Sequence, residues 1–138
     1  IRLKRYIKEH KIKNIEFLGF KSGEELEDII KGARFTLIPS IWYDNLPNTA
    51  LESFQYSKPV IASNIGSLPE LVVDGENGYL FKPADAEDLI KKIKLLDDDT
   101  VVEKMGAASR RRLESRFSPE THYEALMKVF SEAVKNNK

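Results

Sequence analysis

The amino-acid sequence predicts an α/β protein in which a parallel sheet lies between two layers of helices. Two short runs, Phe35–Ile38 and Pro59–Ala62, are apolar on both faces and therefore indicate strands that are buried on both sides. Segments with the periodicity of amphipathic helices lie before, between and after these runs. Such alternation of strand and helix is typical of a parallel sheet. The chain of 138 residues is expected to form one domain, residues 1–138.

The first third of the chain predicts a helix, a strand and a second helix. The first helix begins at the start of the sequence and ends near Lys11, where basic side chains suit a helix C-terminus. Ile15–Leu18 alternates between apolar and polar residues and predicts a short strand that stops at Gly19. The second helix is expected to begin after Ser22, which forms a capping-box pattern with Glu25.

The middle of the chain contains one further helix, a turn and a last strand. Asn48 is expected to cap a helix that runs to about Tyr56. The segment Asp74–Gly78 predicts a tight turn in which both glycines adopt positive φ. Tyr79–Phe81 follows this turn and is expected to form a short strand.

Three helices are predicted after the last strand. Asp85 caps the first of them, the second contains Val102 and Leu113, and Ser118 opens the third. The third helix carries an apolar stripe at helical spacing, formed by Tyr123, Leu126, Met127, Phe130 and Val134.

Composition excludes several classes of function. Lys+Arg and Asp+Glu are both 22, so the chain lacks the basic excess that nucleic-acid binding requires. Cysteine is absent, which removes disulfides, thiolate nucleophiles and cysteine metal sites. No apolar run approaches the length of a membrane span, and we expect a cytoplasmic protein. The sequence does not begin with Met, so we expect a piece of a longer protein.

The segment Ile41–Glu52 contains the most informative chemistry. It places one carboxylate, Asp44, before a predicted helix N-terminus and a second, Glu52, one turn inside that helix. Free amides at the start of a helix attract phosphate, and carboxylates accept hydrogen bonds from hydroxyls. The candidate amides are those of Asn48, Thr49 and Ala50. These groups suit a nucleotide-sugar, but the spacing alone favours a simpler explanation, in which Asp44 caps a turn and Glu52 is an exposed residue of the helix surface.

Five short motifs follow one another between Leu37 and Phe81. They are P-S at 39–40, D-x7-E at 44–52, P-V-I-A-S at 59–63, G-S-L-P-E at 66–70 and D-G-E-N-G-Y-L-F at 74–81. With these motifs, Leu37–Phe81 resembles the nucleotide-sugar-binding half of retaining glycosyltransferases of family 4, or group 1, which have the GT-B fold. The resemblance implies a Rossmann-like three-layer α/β/α domain, the C-terminal half of that fold, with one or more strands before residue 1.

The resemblance also implies a role for each residue of the site. Glu52 would bind the ribose hydroxyls, and Asp44 would bind the hydroxyls of the transferred sugar. Gly19 and Phe20 would lie beside the base. The amides of Asn48, Thr49 and Ala50 would hold the diphosphate. Asn45 and Leu46, in the loop before that helix, would also bind the donor. Such enzymes use no metal or cofactor, because the helix dipole and basic side chains offset the leaving charge.

Two departures from the family pattern affect the sugar more than the nucleotide. Asp44 stands where the pattern has Glu, and Pro47 stands where glycine is usual and removes an amide donor. The implied reaction transfers a hexose-type sugar from a UDP- or GDP-sugar to a glycan or lipid-linked acceptor. The acceptor would be bound by an N-terminal domain that precedes residue 1, so we expect the 138-residue chain alone to be inactive. A peripheral membrane contact of the parent protein stays open.

Three alternatives are weighed against this interpretation. The domain could belong to a starch- or glycogen-synthase-like enzyme or to a sucrose-type glucosyltransferase. It could also be a flavodoxin-like binding module without catalysis, in which Asp44 and Glu52 have no ligand. Finally, Asp97–Asp99 matches the D-x-D pattern of metal-dependent glycosyltransferases, but it follows a predicted helix instead of a strand, which disfavours a metal site.

Overall fold

A computed structural model describes residues 2–136 as three parallel strands flanked by helices. The strands are hydrogen-bonded in the order β1-β2-β3. In chain order the elements are α1 Arg2–Glu9, α2 Glu24–Gly32, β1 Thr36–Ile38, α3 Asn48–Gln55, β2 Val60–Ser63, α4 Leu68–Leu71, β3 Gly78–Phe81, α5 Ala86–Lys94, α6 Asp99–Arg116 and α7 Pro119–Asn136. The predicted α/β class with a parallel sheet is confirmed.

Each face of the sheet has its own apolar core. Val60 and Ala62 of β2 point to one face, where they pack with Phe54 of α3 and with the short helix α4. Ile61 points to the other face and packs with Phe81 and with residues of α5 and α6. Phe54 is completely buried, which stabilises the fold by about 1.5–3 kcal/mol relative to an exposed side chain. The sheet therefore lies between two helical layers.

Helix α6 connects the two layers. Its N-terminal half contributes Met105 to the core that contains Ile61, and its C-terminal end contributes Leu113 to the core that contains Phe54. Arg110 of α6 donates a hydrogen bond to the backbone carbonyl of Gln55 at the end of α3, at 2.6 Å. Helix α6 thereby fixes the position of α3, the helix that carries the candidate site.

Two predictions about strands are wrong for the described residues. Ile15–Leu18 is not a strand, because no strand within residues 2–136 pairs with it, and its apolar side chains stay exposed. A strand needs hydrogen bonds from a neighbour, which local alternation cannot supply. Phe35–Ile38 was expected to be buried on both sides, yet β1 lies at an edge of the described sheet and Leu37 is 39% exposed.

The start of α2 also differs from the prediction. Ser22 does not cap the helix; Gly23 occupies the N-cap position with φ 57° and ψ −141°, and no side chain caps it. Glu25, the expected partner of Ser22, instead pairs with Lys21 at 3.2 Å. A backbone conformation that favours glycine replaces the predicted side-chain cap.

Helix starts later in the chain are as predicted. Asp85 accepts a hydrogen bond from the Asp88 amide at 3.0 Å, and Ser118 accepts one from the Thr121 amide at 3.2 Å. In the turn before β3, Gly75 has φ 83°, as expected. Gly78 does not have positive φ; it is required because a Cβ there would overlap the backbone carbonyl of Val60.

The predicted stripe on α7 is not part of either core. Its apolar side chains are between 39% and 66% exposed. Within residues 2–136, no helix combines the length and the apolar character needed to cross a membrane.

Candidate functional site

The candidate site lies where two neighbouring parallel strands end. The loop after β1 contains Asp44, and the loop after β2 contains Gly66 and Ser67. Because β1 and β2 are parallel and adjacent, both loops leave the sheet at the same edge. The Ser67 hydroxyl and amide both donate to the backbone carbonyl of Asp44, at 2.9 and 3.3 Å. The second loop thus holds the first in place.

Gly66 allows this close contact between the loops. It has φ +60°, and an added Cβ would lie 2.9 Å from the Asp44 nitrogen and 3.1 Å from the Asp44 carbonyl oxygen. Any other residue would therefore displace the backbone that carries the candidate carboxylate. Sequence reasoning noted the motif at 66–70 but did not assign Gly66 or Ser67 this role.

The side chain of Asp44 is exposed and makes one local contact. Its Oδ1 accepts a hydrogen bond from the Asn45 amide at 3.1 Å. A carboxylate has further acceptor positions beyond this one. The turn-capping role considered from the sequence is therefore present, and it leaves acceptor capacity for a hydroxyl.

The N-terminus of α3 presents two free amides, where three were predicted. Among residues 2–136, the amides of Asn48 and Thr49 have no hydrogen-bond acceptor. The Ala50 amide donates to the Pro47 carbonyl at 3.0 Å, and Ala50 is fully buried, so the prediction of a free amide at Ala50 is wrong. Asn48 is the first helical residue instead of the cap, a position that Pro47 occupies. The tight first turn of the helix uses the third donor internally.

Buried hydroxyls attach α3 to the sheet. The Ser53 hydroxyl donates to the Thr49 carbonyl at 2.7 Å and accepts from the Thr36 hydroxyl of β1 at 2.8 Å. Ser53 is completely buried, so these bonds replace its lost contacts with water. The helix, and with it the pair of free amides, is thereby held in a fixed position relative to β1.

Glu52 faces a cavity between α2 and α3. The cavity has a volume of about 210 Å³, and its walls come from one face of α2 and from one side of α3. Its lining residues are Gly23, Leu26, Glu27, Ile30, Glu52, Gln55 and Tyr56. Among residues 2–136, Glu52 has no ion-pair or hydrogen-bond partner for its carboxylate. It is a free acceptor at the edge of a concave surface.

Glu27 of α2 and Tyr56, one helical turn after Glu52, are further polar residues that line this cavity. The pKa of the Glu27 carboxyl is lowered chiefly by the Tyr56 hydroxyl and secondly by Lys31, whose Nζ lies 3.3 Å from Oε2 of Glu27. Glu27 is therefore ionised at neutral pH. Burial, followed by the hydrogen bond to Glu27, raises the pKa of Tyr56. Sequence reasoning did not identify this pair, since the two residues meet only through tertiary packing.

The two candidate carboxylates do not line a common cavity. Glu52 faces the α2–α3 cavity, while Asp44 packs through its backbone against Gly66 and Ser67. No hydrogen bond links them within the described chain, and Asn48 and Thr49 lie between them in sequence. Along the chain these groups form a row, with the free amides between the two acids, an order that suits an extended ligand.

The structure places the other predicted residues outside the α2–α3 cavity. Phe20 is 91% exposed, and Gly19 has φ 72°; both precede Gly23, which lines the α2–α3 cavity. Leu46 lines a different cavity of about 520 Å³, together with Ser67.

The acidic run Asp97–Asp99 has structural partners. Asp98 caps α6 by accepting from the Thr100 amide at 2.8 Å, and Asp99 pairs with Arg34. Arg34 also donates to the Asp97 carbonyl at 2.7 Å. Across residues 2–136, no three His, Asp or Glu side chains are grouped so that they could hold a metal ion.

Comparison with known proteins identifies the family. The model of the family described as glycosyl transferases group 1 matches residues 2–112. The chain belongs to this family. An uncharacterized glycosyltransferase of Methanocaldococcus jannaschii is 30% identical over 131 residues, which are 95% of this chain and 37% of that protein.

Solved structures share the fold over nearly the whole chain. A sucrose-phosphate synthase from Thermosynechococcus elongatus matches 98% of this chain and 34% of its own, with a TM-score of 0.84 and 26% identity. Anabaena HepE in complex with UDP and glucose matches 95% of this chain and 36% of its own, with a TM-score of 0.83. At 22% identity, HepE shows the fold alone. The chain spans about a third of the length of these proteins. The resemblance to the C-terminal domain of a group 1 glycosyltransferase is confirmed.

Proposed function

We propose that this chain is the donor-binding domain of a retaining, metal-independent glycosyltransferase of the cytoplasm. The enzyme transfers a hexose-type sugar from a UDP- or GDP-sugar to a glycan or lipid-linked acceptor that an N-terminal domain binds. The observation that carries the proposal is the row formed by Glu52, the free amides of Asn48 and Thr49, and Asp44. The structure of HepE with UDP and glucose, which has the same fold, supports a nucleotide-sugar as the ligand.

Each part of the row has a separate role in this proposal. The α2–α3 cavity takes the nucleoside, and the Glu52 carboxylate accepts hydrogen bonds from the ribose hydroxyls. The diphosphate lies at the N-terminus of α3, where two amides donate to it and the helix dipole favours its charge. Asp44 accepts from hydroxyls of the transferred sugar. Gly19 and Phe20 border the base, and Asn45 and Leu46 border the sugar.

The N-terminus of α3 also supplies chemistry to the transfer. When the bond between the sugar and the diphosphate breaks, negative charge grows on the departing phosphate oxygen. Fixed amide donors stabilise that charge without reorganising, which is the reason that no metal is required. Because α3 is attached to β1 through Ser53 and to α6 through Arg110, these donors are held in place before the ligand arrives.

A sucrose- or glycogen-type glucosyltransferase is the second candidate. The likeness to a sucrose-phosphate synthase at 26% identity favours it. The two candidates differ in the donor nucleotide. In the proposed row, the contacts accept any nucleoside diphosphate, and the loop around Phe20 selects the base. Family membership argues against the flavodoxin-like module without catalysis.

The test measures the binding of UDP, GDP and ADP by thermal shift and by calorimetry. We expect at least one of the three nucleotides to raise the melting temperature. Glu52→Ala should lower the affinity for that nucleotide by about tenfold or more, the usual loss for a hydrogen bond to a charged group. Asp44→Ala should change the same affinity by less than about threefold. Glu103→Ala, an exposed glutamate of α6, is the matched control. Equal losses in the Glu52 and Asp44 variants would contradict the assigned roles.

A further inference from the structure

A second concave surface lies beside the Asp44 loop and has a basic wall. This cavity of about 520 Å³ falls within the range of small-molecule sites. It is lined by Leu46, Ser67, Pro69, Glu70, Leu71, Arg112, Arg116 and Phe117. Through Ser67 it adjoins Asp44, whose backbone carbonyl Ser67 binds. It is separate from the α2–α3 cavity and shares no lining residue with it.

Arg112 is fixed in this wall, and one of its unused donors is buried. Its Nη2 donates to the backbone carbonyl of Glu70 at 2.6 Å, which orients the guanidinium. Its Nε is buried and has no hydrogen-bond partner among the described residues. A buried donor without an acceptor is costly, and native proteins usually satisfy such groups with a ligand or water.

The positive charge in the cavity is not neutralised by ion pairs. Within the part of the chain that is described, neither Arg112 nor Arg116 pairs with a carboxylate. Burial, followed by the charge of Arg116, lowers the pKa of Arg112, because two cations share one surface. Glu70 contributes its backbone carbonyl to Arg112, and its single carboxylate leaves the wall with a net positive charge.

We propose that this cavity binds a phosphate monoester group through Arg112 and Arg116. Guanidinium groups present planar, paired donors that match the oxygens of a phosphate, and the cavity brings two of them together without a carboxylate ion pair in the described chain. The cavity is larger than a phosphate needs, and its other walls are the Ser67 hydroxyl and the apolar side chains of Leu46 and Phe117. The phosphate is therefore either free or attached to a sugar. Its relation to a sugar bound at Asp44 rests on the proposed function; phosphate binding itself does not.

The experiment follows the Arg112 Nε–H resonance of the 138-residue chain by ¹H–¹⁵N NMR. Inorganic phosphate and a hexose 6-phosphate are titrated separately, each in the presence of saturating UDP, which fills the proposed diphosphate site. We expect both to shift this resonance in a saturable way. Tighter binding of the hexose 6-phosphate assigns a sugar phosphate, and equal affinities assign free phosphate. A resonance that neither compound moves overturns the proposal.

Variants at exposed positions keep the test independent of folding. Arg116→Gln removes an exposed side chain without an ion-pair partner in the described chain, so the fold should be retained. It should weaken phosphate binding by about tenfold. Arg112→Gln should weaken binding further, and its melting temperature reports whether it folds. Arg111→Gln is the matched control, since Arg111 is an exposed neighbour that lines a different cavity. Equal affinities for the Arg116 and Arg111 variants would refute the site.

The outcomes separate this proposal from the proposed function. Loss of UDP binding in Glu52→Ala together with unchanged phosphate binding supports both. If UDP fails to bind and phosphate still moves Arg112, the nucleotide role alone is wrong. If UDP binds and phosphate leaves Arg112 and Arg116 unaffected, the phosphate site alone is wrong.

Discussion

Replacing Gly66 with alanine tests how the two loops of the site depend on each other. The substitution has two separate effects. At φ +60° an alanine is in the left-handed region, which costs about 1–2 kcal/mol. In addition, its Cβ would lie 2.9 Å from the Asp44 nitrogen, a backbone atom that cannot rotate away. Forcing atoms into such a space costs about 1–3 kcal/mol more.

Gly75→Ala is the matched control for the first effect. Gly75 has φ +83°, and a Cβ there would meet no atom within 4 Å. We therefore expect Gly75→Ala to lose about 1–2 kcal/mol and Gly66→Ala to lose about 2–5 kcal/mol. The change in the unfolded chain is the same in both variants, so the difference isolates the contact with Asp44.

Urea denaturation at neutral pH measures both free energies of unfolding. Gly66→Ala should also lower the affinity for the proposed nucleotide, because displacing the backbone of Asp44 moves the segment that leads into α3. Gly75→Ala should leave nucleotide affinity unchanged. A loss of stability in Gly66→Ala no larger than that in Gly75→Ala would refute the argument that this glycine holds the Asp44 loop.

Two further predictions concern the stability of the fold. Gly78→Ala places a Cβ on the Val60 carbonyl between β2 and β3 and should cost roughly 3 kcal/mol or more. Gly32→Ala, at the end of α2 with no atom near its Cβ, should leave the melting temperature unchanged or raise it slightly, because alanine favours a helix more than glycine does. Hydrogen bonds from Asp88 and Thr100 lower the pKa values of the helix caps Asp85 and Asp98 from their ordinary range. The stabilisation from these two carboxylates is complete above the pKa of an aspartate in the unfolded chain and is lost as the pH falls through the lowered folded-state pKa values. The Asp85→Asn, Asp98→Asn double variant lacks both carboxylates. Its free energy of unfolding, measured in urea, should therefore fall less steeply than that of the unmodified protein between about pH 5 and pH 2. If the free energy of unfolding of the double variant depended on pH as that of the unmodified protein does, the stabilising role of the two capping carboxylates would be contradicted.

Much of the fold could be predicted because the relevant signals are local. The apolar runs that became β1 and β2, and the capping side chains Asp85 and Ser118, act within a few residues of their own position. The prediction of a strand at Ile15–Leu18 was wrong because a strand forms only by pairing with a neighbouring strand, and none of the described strands pairs with this segment. Ser22 failed because the backbone at Gly23 adopts a conformation that no spacing rule reveals.

The candidate site was predicted in its parts and not in its assembly. The motif from Asp44 to Glu52 identified two carboxylates and a helix start, which the structure retains as separate elements of a row. The internal bond of the Ala50 amide depends on how tightly the first turn of α3 closes. The contacts of Ser67 with Asp44 and of Arg112 with Glu70 join residues at least 23 apart in sequence, so only the folded chain shows them.

The most direct measurement is a ¹H–¹⁵N NMR titration of the backbone amides with UDP. If the N-terminus of α3 binds the diphosphate, the Asn48 and Thr49 amides will show large, saturable shifts. The Ala50 amide, which is bonded to Pro47, will shift less. Binding of UDP that leaves Asn48 and Thr49 unmoved, or an absence of UDP, GDP and ADP binding altogether, would contradict the account.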